Sequence, residues 1–228
     1  MAATRNGTRT PPEVTVKASV PVASEVGVTG LKHTGGVIQE EWLRALDSYN
    51  GVRTYSEMEL DPIVGAVMLA ITIELRRVQR RLDPADDSPK AEEVAEFVDG
   101  CFDDMSHTFE DFISEACTML PYGWAYHETV FKPRRGEVPG QPGGSSKYAD
   151  GRWGWRKIPI RAQDTLTRWE IVDEGGIAWM WQLVDWRPET LIPIEKSLLF
   201  RPSAHKGNPM GRSVLRSAYV EWYRRKHA

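Results

Sequence analysis

At 228 residues, with 41% hydrophobic and 27% charged side chains, the chain has room for one main core and a composition that excludes a disordered or collagen-like protein. Its formal charge of -3 argues against a dedicated nucleic-acid binder, which needs a strong basic excess. Cys101 and Cys117 offer neither a disulfide framework nor metal-ligand spacing, and no apolar run reaches the roughly 18 residues of a membrane span. The first residues lack the apolar segment of a secretory signal, so synthesis in the cytoplasm and no membrane association are expected.

Residues 1–36 mix Thr, Val, Pro, Ser and Gly without periodicity and are expected to form a flexible arm that gains order through a partner. A short helix is expected over Gln39 to Leu46, ended by a turn at Asn50-Gly51. Asp61-Pro62 has the form of a helix start, an acceptor for free amides followed by a residue that lacks one. The run IVGAVMLAITI behind it is apolar on nearly every face and reads as a buried helix. ELRRVQRRLD then fits either a continued helix or an emerging strand, the strand being preferred.

Ser88-Pro89 and Thr108 start two further helices, the second closing at Pro121-Tyr-Gly123. Between Asp83 and Glu115, 12 Asp and Glu stand against one Lys, which gives this pair an acidic face. WAYHETVF alternates like a half-buried strand, EVPGQPGGSSKYADG reads as a mobile loop, and RWGWRKIPI as a strand. Strands are also expected over Leu166 to Val172, Ile177 to Leu183 and Ser197 to Phe200. From Gly211 the pattern returns to a helix rich in Lys and Arg. Helices first, a mainly antiparallel sheet second and a basic helix last describe an α+β protein.

KGNPMGRS, between a strand and a helix, has the setting of a phosphate-binding loop but is one residue short of that pattern, and Pro209 removes an amide. Arg212 also stands where the compact Lys belongs. The five histidines show no metal-binding grouping, and no nucleophile elbow occurs. Glu128 lies in an otherwise apolar and aromatic strand, so it needs a cation if buried, and Arg161 is the first choice. Nine Trp, concentrated from Trp153 to Trp186, suit an aromatic core and a subunit interface, with a single-strand stacking platform as the alternative.

The ordered segments DPIVGAVMLAITIELRRVQRRLD, AEEVAEFVDGCFDDM, FEDFISEACTMLPYGWAYHETVF, KIPIRAQDTLTRWEI and KSLLFRPSAHKGNPMGRSVLRSAYVEWYRRK resemble the portal proteins of tailed phages, especially the Mu-like branch. The resemblance runs from about Val37 to Lys226 and is most specific over Leu120 to Glu128 and Gly207 to Trp222. It implies a structural subunit without catalytic residues, metal or cofactor, assembled as a dodecameric ring at one capsid vertex of the virion. DNA would pass through that ring during packaging and ejection, without sequence specificity, and the tail would attach there. Other copies, the major capsid protein, head-completion or adaptor proteins and terminase are the implied partners. Residues 37–210 correspond to the family's wing and 211–228 to the helix leading toward its stem, with terminase docking expected outside these residues. Candidate structural and interface residues are Tyr122, Glu128, Trp153, Arg161, Arg212, Arg216 and Trp222. The alternatives are a nucleic-acid-binding module using Arg76, Arg77, Arg80 and Arg81 with the basic C-terminal residues, and an NTPase using the Gly207 loop.

Overall fold

The computed structural model describes residues 27–140, 143–172 and 176–228. A small hairpin, β1 (His33–Thr34) with β2 (Val37–Ile38), opens the described chain. It is tied to the body of the protein, because the Trp169 amide donates to the Gly36 carbonyl at 2.9 Å and Ile38 is buried. The rest of the expected arm, residues 1–26, lies outside the described residues.

The helix expected over Gln39 to Leu46 is reduced to a 3-10 turn at Arg44–Leu46, with Trp42 93% exposed. Helix α1 (Ser48–Glu59) instead runs straight through the expected Asn50-Gly51 turn. Gly51 serves a close approach, since a Cβ there would meet the Leu46 carbonyl oxygen at 2.5 Å. Helix α2 (Pro62–Arg76) is capped by Asp61, whose carboxylate accepts from the amides of Ile63 at 2.9 Å and Val64 at 3.3 Å. The helix is not buried as expected: Met68 alone is fully covered, because α2 lays one face on its neighbours and no described residues cover the other. The preferred strand after it does not form either. The helix continues to Arg76, and the following segment runs without a partner strand while Arg80 turns to Asp99 and Asp103.

Helices α3 (Pro89–Asp103) and α4 (Phe109–Ala116) start at their expected caps. The Ala91 amide donates to Ser88, and Thr108 exchanges hydrogen bonds with Asp111. A last turn, α5 (Met119–Tyr122), closes on Gly123 in the left-handed region at φ 88°.

The expected half-buried strand at Trp124 to Phe131 is two short strands, β3 (Ala125–Glu128) and β4 (Val130–Pro133). Its alternation fails because β3 is covered on both faces: His127 lies against Phe112 of α4, Tyr126 against Trp169, and Trp124 through His127 are 0% exposed. Strand β5 (Trp153–Lys157) pairs with β4, and β6 (Ile160–Arg161) with β3. The loop between β4 and β5, expected to be mobile, is anchored at its far end. Ser146 Oγ and the Lys147 amide donate to the Asp104 carboxylate at 2.7 and 2.8 Å, and buried Lys132 donates to the Ser145 carbonyl at 2.7 Å. Strands β7 (Leu166–Ile171), β8 (Ile177–Gln182) and the unforeseen β9 (Thr190–Pro193) form an antiparallel meander. Strand β10 (Ser197–Phe200) returns to β3, and every strand pairing is antiparallel, as the α+β reading requires.

Two cores result. Trp124, Tyr126, Trp169, Met180, Ile192 and Ile38 fill the sheet core, while Leu46, Tyr55, Met58, Met68, Leu215 and Trp222 fill a helical one. The C-terminal segment coils as a 3-10 turn at Val214–Ala218 and continues as α6 (Tyr219–His227), docked on the helical core by Leu215 and Trp222.

Candidate assembly surface

The two segments most specific in sequence, around Pro121-Tyr-Gly123 and Met210 to Ser213, interlock although about 90 residues separate them. The Ser213 hydroxyl donates to the Pro121 carbonyl and accepts from the Leu215 amide at 3.0 Å, so one side chain joins the α5 turn to the start of the last helical segment. Gly211, at φ 55°, approaches the Gly123 carbonyl so closely that a Cβ would stand 2.2 Å from it. A Cβ on Gly123 would meet the Met210 carbonyl at 2.7 Å and the Ser213 amide at 2.9 Å. Left-handed backbone and mutual contact both demand glycine at these two positions.

The Gly207 loop uses its amides internally. Asn208 donates to the His205 carbonyl at 3.0 Å, Met210 to the Asn208 side chain at 2.9 Å and Gly211 to the Asn208 carbonyl at 3.3 Å. Lys206 reaches Glu40 at 3.1 Å, and Arg212 is exposed without a carboxylate partner among the described residues. Amides committed in this way do not converge on a phosphate. Among the described residues no cluster of His, Cys, Asp and Glu could hold a metal ion, and no helix is long and apolar enough to cross a membrane.

The remaining sequence-derived residues fall into three places. Glu128 and Arg161 come together in the sheet, where both Nε, at 3.1 Å, and a terminal nitrogen of the guanidinium donate to one carboxylate oxygen, with Lys196 at 3.8 Å from the other. The register that sets Tyr126 opposite Arg161 and Ser197 opposite Glu128 places them. Tyr122, Arg216 and Trp222 gather around the helical core. The Tyr122 hydroxyl lies 3.1 Å from Ser56 Oγ, burial pushes its phenol up to about 12, and Arg216 pairs with Glu41 at 2.8 Å. Trp153 is elsewhere, on the outer face of the β4–β5 pair and 66% exposed.

The charge blocks are partly neutralised within the chain. Arg80 holds Asp99 and Asp103, Lys132 holds Asp104 at 3.1 Å, and Arg152 pairs with Glu93. On α6, Arg225 pairs with Asp61 and Lys226 with Glu57, so the basic terminal helix is bound to its own chain and is not an open counterpart for the acidic helices. Arg77 and Arg81 likewise sit on Glu74 and Asp83, and the cavity that Arg76, Arg77 and Arg80 line is shared with Asp103, Glu110 and Asp111, so it is not a purely basic face. The solvent-exposed pairs among these add little stability each and mainly fix orientation, whereas Lys132–Asp104 is buried.

Sequence reasoning missed the outward face of α2, where Ile63, Val67 and Leu69 are 61%, 54% and 60% exposed. The absence of any charge from 62 to 73 was its visible signal. A family model described as the portal protein of Mu bacteriophage matches residues 52–228. No curated protein matches the chain.

Proposed function

Because the chain belongs to the family of portal proteins of Mu-like bacteriophages, a structural family of the virion capsid, we propose that it is one subunit of a closed ring at a single capsid vertex. DNA enters and leaves through that ring, and the tail attaches to it. The subunit count is twelve on this reading, residues 37–210 form the wing, 211–228 lead toward the stem, and of the expected arm only residues 1–26 are left to reach a neighbour or the capsid, because the part from 27 to 36 packs on the chain's own body. Major capsid protein and head-completion or adaptor proteins are its contacts, with terminase docking on other parts of the assembly. Trp153 and Arg212 are exposed for contact, whereas Tyr122, Glu128, Arg161, Arg216 and Trp222 hold the subunit's own shape.

The observation that carries the reading is the interlock of the α5 turn with the Gly207 to Ser213 loop. It joins, inside one folded unit, the two segments through which the sequence resembles portals, and the amides of Asn208, Met210 and Gly211 in it are engaged within the loop. A rigid junction between a body and an outgoing helix is a structural device, and no turnover is expected from it. Gold-labelled antibody against the chain, imaged on intact and emptied particles, should mark one vertex per capsid at the tail junction. Label spread over the whole shell, or particles that lack the chain, would overturn the proposal.

A further inference from the structure

Helix α3 belongs to neither core, and the surface it lies on is charged. The two cores draw no residue from α3, β4 or β5, and only Gly100 and Cys101 of the 15 residues of α3 are buried. Opposite signs meet across this seam. Pro89 to Asp104 holds six carboxylates against Lys90, whereas Val130 to Lys157 holds seven Lys and Arg against Glu137 and Asp150. Four of those seven cations reach the helix or its C-terminal cap. Arg152 pairs with Glu93, Arg134 donates to the Phe97 carbonyl at 3.4 Å and lies over the Phe97 ring, Lys147 donates to the Asp103 carbonyl, and Lys132 binds Asp104.

The two ends of the helix are held differently. At Asp104 the hold is buried and redundant: the carboxylate takes Lys132, Ser146 and the Lys147 amide, and the Asp104 carbonyl takes Lys132 again at 2.6 Å. Arg80 adds its pairs with Asp99 and Asp103 nearby. Toward the N-terminus the polar hold among the described residues is the exposed Arg152–Glu93 pair and Arg134 on Phe97. The lead-in from Arg81 to Ser88 is neither helix nor strand.

We propose that α3 is a hinged lid, which pivots at Asp104 and lifts its N-terminal half off the cationic side of the β4–β5 hairpin. An apolar seam resists opening in proportion to its area, whereas charges withdrawn from water regain hydration when they part. Elements with few buried apolar contacts open locally well before the whole chain unfolds. Closed, the lid gives the hairpin's cations a partner within the chain. Lifted, it turns Arg134, Arg152 and the Tyr148 ring, over which Arg134 lies at 4.0 Å, toward solvent.

Cys101 reports on the seam and Cys117 on the body. Both thiols are buried; Cys101 Sγ lies 3.5 Å from the Arg134 guanidinium, and Cys117 is the C-terminal cap of α4. The full chain is alkylated with neutral iodoacetamide, each thiol is followed by mass spectrometry, and its rate is divided by its own rate in the urea-unfolded chain. On this scale Cys101 should react about tenfold or more faster than Cys117, with little response to low urea, as local opening requires. Arg152→Gln should speed Cys101 about two- to fivefold and leave Cys117 unchanged, because it removes one exposed pair at the free end of the lid. One common rate for both thiols, rising with urea as steeply as global unfolding, would overturn the lid. So would a fast Cys101 that Arg152→Gln leaves unchanged, or a variant that speeds both thiols equally.

Discussion

Replacing Gly211 by Ala isolates the energetic role of the interlock. The residue sits at φ 55°, where a side chain costs about 1–2 kcal/mol, and its Cβ would lie 2.2 Å from the Gly123 carbonyl oxygen. That oxygen belongs to backbone, so relief requires the α5 turn and the Gly207 loop to separate, an overpacking cost of about 1–3 kcal/mol. The sum, about 2–5 kcal/mol, is a large part of the 5–15 kcal/mol by which a domain is stable. Gly151 is the control: its φ is 73°, but nothing lies within 4 Å of a Cβ there, so its Ala variant carries only the conformational cost. With a urea slope of about 2–3 kcal/mol/M, Gly211→Ala should lower the unfolding midpoint by roughly 1–2 M and Gly151→Ala by about half a unit. Equal shifts for the two variants would refute a tight interlock.

Glu128→Gln leaves the partly buried Arg161 without its carboxylate and should destabilise the chain by about 1–2 kcal/mol in urea unfolding. Adding Arg161→Met should then cost less than it does alone, and strictly additive losses would show that the pair is not coupled. Burial holds the His127 imidazole below the usual histidine range, against the raising influences of the Ile158 carbonyl and Glu115. Protonation therefore favours the unfolded chain: stability is complete above about pH 6.5 and falls as pH drops below it. His127→Gln should flatten that acid limb, and an unchanged pH profile would remove His127 as its source. Titration calorimetry of the chain with ATP and Mg²⁺ should give no saturable heat, and saturable binding abolished by Arg212→Ala would promote the NTPase alternative.

The helix starts were legible because a cap is a local event: Asp61, Ser88 and Thr108 each act on amides two or three residues ahead. Glu128 was legible for a different reason, since a carboxylate inside an aromatic strand demands a cation wherever the fold finds one. What failed depended on distant residues. Gly51 reads as a turn until Leu46 is seen folded back onto it, and β3 reads as half-buried until α4 and β7 cover both of its faces. Strand β9 has four residues and ends in proline, too short for a periodic signal. The apolar run of α2 signals burial in sequence, and the described residues supply cover for one face only. The interlock joins glycines 123 and 211, each of which alone reads as an ordinary turn.

Imaging the tail-bearing vertex of the particle without imposed symmetry tests the central claim most directly. The expected density is a closed ring in which the two-core fold described for this chain repeats around the axis. A vertex ring whose subunits do not accommodate this fold, or particles in which the chain is present only as isolated copies, would contradict its assignment as the portal wall.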